Sequence, residues 1–152
     1  MGVKMANLAT TNNQSAIATG NDFAIPTGYI CTLDVTTIKG KMQLASALNG
    51  AQSMRDLVDV PLRVVNVVTT QGERARTGEV CTNTYLICED GTVYFSQSDG
   101  VARSVKILVA LFTKPVTKEF LNPVEQGVGF MVKEQTLQNG NTLKTVVPVT
   151  LD

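Results

Sequence analysis

The chain has 152 residues, 43% of them hydrophobic and 17% charged, with 13 Lys and Arg against 13 Asp and Glu and no histidine. That size supports one compact domain with an extension, and the balanced charge leaves no strong overall field to draw in an anionic partner. The missing histidine excludes the commonest general base, the Ser and Cys relays that depend on it, and every metal site that needs it.

Cys31, Cys81 and Cys88 form no CxxC pair and read as small apolar side chains in a reducing compartment. The N-terminus lacks the apolar core of a signal peptide, no apolar run is long enough to span a membrane, and Ala6 stands where a myristoylation signal wants Ser or Thr. No membrane partner is expected.

Residues 1–22 are rich in Thr, Asn, Gln and Ala without apolar periodicity and read as a flexible arm that is idle or docks on a neighbouring copy. Residues 23–59 read as an N-terminal extension packing on a domain that occupies 60–152. Within the extension, the alternation of Tyr29, Cys31, Leu33 and Val35 predicts a strand over 29–38, and Leu44, Ala47 and Leu48 before Asn49-Gly50 predict a short helix over 41–48.

From Pro61 the signals sharpen. LRVVNVVT is a β-branched run, QGERARTG a polar basic tip and EVCTNTYLIC a second strand, which together predict a hairpin. Asp90-Gly91 predicts a two-residue turn that folds TVYFSQ back on that strand. Val101, Val105, Leu108 and Phe112 then recur at helical spacing behind a Ser98 or Asp99 cap, and Asn139-Gly140 predicts a last hairpin. Three strands, a helix and two strands are the connectivity of a five-stranded OB-fold barrel, mainly β; an open α+β sheet has the same element order.

A two-residue turn at Asp90-Gly91 would set Leu86 opposite Phe95 and Ile87 opposite Tyr94. Leu86, Cys88, Val93 and Phe95 would then form a core face, and Tyr85 and Tyr94 would be diagonal neighbours on a mixed face. Two rings on such a face suit nucleobase stacking, and they suit equally a subunit interface or burial under the N-terminal segment. Arg74 and Arg76 at the first hairpin tip are candidate phosphate contacts. Lys133 and Lys144, on one face if Asn139-Gly140 is a two-residue turn, and Arg63 on the first strand extend that set. No catalytic residue and no metal site is expected: KGKMQ lacks the glycine spacing of a phosphate-binding loop, and GVGF lacks the third glycine of a dinucleotide fingerprint.

Gly78-Glu79, then EDGTVYFSQSDGVARSV, a helix ending in LF and a terminal strand pair resemble single-stranded DNA-binding proteins encoded by phages and conjugative elements of Gram-positive bacteria, as does GKMQLASALNGAQSMRDLVD before the first strand. The resemblance covers roughly 39–150. It implies an OB-fold that coats single-stranded DNA in the bacterial host cytoplasm during replication or transfer, without catalysis or cofactor. Tyr94 matches a family tyrosine; Tyr85, Arg74 and Arg76 rest on geometry alone. The long arm and zero net charge depart from the family pattern. The expected partners are single-stranded DNA and further copies of the chain, joined through the arm. The alternative is an oligomeric structural or adaptor protein that uses the same barrel face for protein contacts.

Overall fold

A computed structural model describes residues 29–152. The expected arm, 1–22, and the start of the extension lie outside the described residues. Strands form where β-branched residues concentrate. Pro61–Leu62 and Val64–Glu73 follow one another as β2 and β3, and Val80–Cys88 and Val93–Ser96 form β4 and β5, the short strand Gln52–Ser53 being β1. Beyond them come β6, Val128–Thr136, and β7, Thr142–Thr150. The helices are α1, Ile38–Gly50, and α2, Asp99–Leu111. The five strands and the helix expected from 61 onward are present in the expected order.

One sheet runs β1-β5-β4-β3 and the other β2-β6-β7. A register shift between Val64 and Asn66 bends the chain so that Pro61 and Leu62 pair with β6 while Asn66 onward pairs with β4. Such a bulge adds a residue to one strand and sharpens its turn, and here it carries one continuous segment from sheet to sheet. The result is OB-like, but the two sheets are not joined into a closed barrel. The free side of β5 is taken by β1, which pairs with it in parallel, Gln52 beside Tyr94 and Ser53 beside Phe95.

The main core lies between the sheets under α2, with Val64, Val67, Leu86, Val105, Phe130 and Val132 fully or almost fully buried. α2 forms for legible reasons. Ser98 caps it by accepting the Val101 N–H, and Val101, Val105, Leu108 and Val109 make its buried stripe. A second core sits on the other face of the β3-β4-β5 sheet, where Leu33, Val35, Leu44 and Ala47 pack on Val68, Tyr85, Ile87 and Val93. Its helix, α1, is longer than the 41–48 expected because Thr37 caps it, accepting the Gly40 N–H. The strand expected over 29–38 is reduced to a short antiparallel edge: Thr69 N–H donates to the Ile30 carbonyl at 2.7 Å and Thr32 N–H to that of Val67 at 3.0 Å. At Thr37 the chain turns into α1, so Ile38 cannot extend that edge.

β4 is therefore covered on both faces. Thr84 to Cys88 are buried without a break, a pattern that a strand with one solvated face does not show.

Candidate nucleic-acid interface

Both Asx-Gly hairpins differ from the expected two-residue turn by one residue. Ile87 pairs with Val93, Leu86 with Tyr94 and Tyr85 with Phe95, which leaves Glu89, Asp90 and Gly91 in a three-residue loop. Glu134 pairs with Lys144 and Gln135 with Leu143, which leaves Gln138, Asn139 and Gly140 in the other. The cause is local. Asp90 Oδ1 accepts the Thr92 N–H at 2.9 Å, Asn139 Oδ1 accepts the Asn141 N–H at 3.0 Å, and Gly91 and Gly140 take φ of 92° and 86°. A side-chain Asx turn followed by a left-handed glycine builds the three-residue hairpin loop, and one residue of slip exchanges the faces of the returning strand.

The expected division between Tyr94 and Phe95 is thereby reversed. Phe95 lies beside Tyr85, ring centroids 5.3 Å apart and tilted by 44°, on the face covered by α1. Tyr94 lies on the other face, half-buried against the main core. Tyr85 is 8% exposed. Burial under the N-terminal segment, one of the readings open for these rings, is what the fold does with Tyr85. The slip also separates the lysines, because Lys133 pairs with Thr145 and Lys144 with Glu134, so the two point to opposite faces.

The cations differ in how far they are already committed. Arg63 donates to Glu89 at 2.7 Å, at the Cys88 end of β4 and so remote from the 74–79 loop at its Val80 end. Lys133 donates to Asp59 at 2.8 Å. Arg74 is built into the scaffold: its Nη2 donates to the Gln97 carbonyl at 3.0 Å and meets Asp99 at 3.3 Å, while Nη1 lies 3.7 Å from Glu79. Arg76 is exposed at the loop tip and has no carboxylate partner among the described residues, and Lys144 likewise has none.

Where α1 does not reach, the outer face of the sheet is polar. Gln97 Nε2 donates to Asn83 Oδ1 at 3.0 Å and to the Glu73 carbonyl at 3.2 Å, and Asn83 Nδ2 donates to Thr70 Oγ1 at 3.4 Å. A side chain at Gly72 would collide with this Asn83 amide. The network ties the base of the 74–79 loop to the start of α2, so the loop holding Arg76 rises from a fixed base.

The family described as Phage Single-stranded DNA-binding protein matches residues 24–145, most of the chain. The chain belongs to that family. It is a phage-type single-stranded DNA-binding protein. Comparison with curated proteins and with solved structures returned no match.

Within this phage protein, the described residues contain no cluster of three or more His, Cys, Asp or Glu able to hold a metal ion, and no helix long and apolar enough to cross a membrane. Sequence reasoning places Asn83 only as one residue of the mixed face and does not single out Gln97. Each sits in a polar stretch, Thr82-Asn83-Thr84 and Ser96-Gln97-Ser98, and nothing in the sequence pairs the two amides. Tyr29, half-buried next to the edge that pairs with β3, was read only as a strand residue.

Proposed function

We propose that single-stranded DNA crosses the uncovered polar end of the β3-β4-β5 sheet, with Arg76 and Lys144 contacting phosphates, while Tyr94, half-buried against the main core on the opposite face, stays off this track. The observation that carries the reading is the family match over 24–145. The surface is chosen because OB-folds bind oligonucleotides on the face of the strands equivalent to β4 and β5 and on the loops at its ends, and only part of that face is open here. Arg74 positions the loop, and Tyr85 supports the sheet from beneath α1. The activity is binding rather than catalysis, needs no cofactor, and serves phage replication in the host cytoplasm. Coating by successive copies, linked through residues 1–22, belongs to the same reading.

Titration of an unstructured oligonucleotide, followed by fluorescence anisotropy at increasing salt, tests it. Each phosphate neutralised should add about 0.7 to the magnitude of the logarithmic salt slope. Binding should be sequence-tolerant, and Tyr94→Ala, which trims a ring packed on the main core, should lower stability in urea with little change in affinity. Absence of binding at low salt would overturn the reading. Deleting 1–22 should reduce the mass of the assembly in solution, and an unchanged mass would remove the linking role of the arm.

A further inference from the structure

α2 is apolar on two sides. Its inner stripe is in the main core, but Ile107 and Leu111, one turn apart, are 57% and 72% exposed, and Val116 in the following loop is 90% exposed. Ala110 lies on the same exposed side. Arg103 precedes Ile107 by one turn and Lys106 flanks Ala110, and neither has a carboxylate partner within 4.0 Å among the described residues. The outer side of α2 is thus an aliphatic strip with an unpaired cationic border. Single exposed aliphatic residues need no explanation, whereas a row on one helix side continued into the next loop does.

The chemistry of the strip selects its partner. It holds no aromatic ring on which a base could stack, so it does not extend a nucleic-acid track. Residues 1–28 contain a single carboxylate, Asp22, and do not match the cationic border. The groove beside α1, where Ile38 and Met42 are exposed, has Lys39 and no carboxylate in its lining, so a second copy offering that face would set cation against cation. We propose that the outer side of α2 docks an amphipathic acidic segment of another protein, whose aliphatic or aromatic side chains cover Ile107 and Leu111 while its carboxylates face Arg103 and Lys106. This is the helix-on-apolar-strip mode of peptide recognition, with charge setting the orientation and speeding encounter. The strip lies away from the 74–79 loop tip, so the partner and DNA bind together.

The probe is a synthetic peptide with Leu at three- and four-residue spacing and Glu elsewhere, titrated into the full chain already saturated with oligonucleotide. A control peptide carries Lys for Glu. The acidic peptide should bind and the basic one should not. Ile107→Ser with Leu111→Ser, and separately Arg103→Ser with Lys106→Ser, should each weaken it by about tenfold or more, as truncating central interface residues does. Oligonucleotide affinity and thermal unfolding should be unchanged, since all four side chains are exposed. Equal binding of both peptides, or variants that leave binding intact, would overturn the proposal. So would three other results, each assigning the strip elsewhere: lost oligonucleotide affinity in Arg103→Ser/Lys106→Ser (DNA), lower solution mass in Ile107→Ser/Leu111→Ser (a second copy), or higher peptide affinity after deletion of 1–22 (the chain's own N-terminus).

Discussion

At the level of single residues, Asp90 and Asn139 decide more than their size suggests. Each accepts the N–H of the residue two positions on, and each is followed by a glycine in the left-handed region. The dipeptides announce hairpins in the sequence, but two- and three-residue loops share them, and the face of every later side chain hangs on which one forms. This is why the Asp-Gly turn was legible while the faces of Tyr94 and Phe95 were not. Gly91→Ala and Gly140→Ala should each cost about 1 kcal/mol in urea unfolding, because a Cβ disfavours positive φ while neither site is crowded. Cys88 offers a second residue-scale test. Burial, aided by the nearby Asp90 charge, pushes its thiol up from 9.0 to about 11. The folded state therefore favours the neutral thiol, a stabilisation complete below pH 9.0 and lost as pH rises toward about 11. Denaturant midpoints measured between these values should fall more steeply for the native chain than for Cys88→Ala.

Each helix enters its place through a glycine that a larger residue cannot replace. An added Cβ at Gly40 would sit 1.7 Å from the Asp34 carbonyl oxygen, and one at Gly100 would sit 2.1 Å from that of Lys144. Backbone atoms cannot swing aside as a side chain can, so either helix would have to lift. Gly100→Ala should destabilise by about 2 to 3 kcal/mol, the range of an overpacked core, and urea unfolding checks it. α2 was readable because its period, its Ser98 cap and the following Pro115 agree. α1 was readable as a helix but not as a cover. What makes Tyr85, Ile87, Val93 and Phe95 a core face is contact with Leu33, Val35, Leu44 and Ala47, which lie far away in sequence. A mixed face open to ligand and a mixed face awaiting a distant helix read alike in one dimension.

Across the whole molecule, strand order was legible because each hairpin is local, while the parallel pairing of β1 with β5 and the open gap between the sheets depend on non-local contacts that no periodicity reports. The same holds for charge. With equal numbers of positive and negative side chains, DNA affinity depends on which cations the fold leaves unpaired, and the sequence alone could not separate Arg74 from Arg76. The structure separates them by their partners. Arg74 already faces Asp99 and Glu79 and holds the Gln97 carbonyl, so it has little condensed charge to exchange when DNA arrives, whereas Arg76 has no such partner among the described residues. Arg76→Ala should therefore reduce the magnitude of the logarithmic salt slope by about 0.7 and leave stability within about 0.5 kcal/mol of the native chain. Arg74→Ala should do the reverse. It leaves the Gln97 carbonyl without its donor and should cost about 1 to 3 kcal/mol of stability with little change in slope. Anisotropy titrations at several salt concentrations, paired with urea unfolding of the same variants, read both quantities. An unchanged slope in Arg76→Ala would move the DNA track off the 74–79 loop, toward Lys144 and the β6-β7 hairpin.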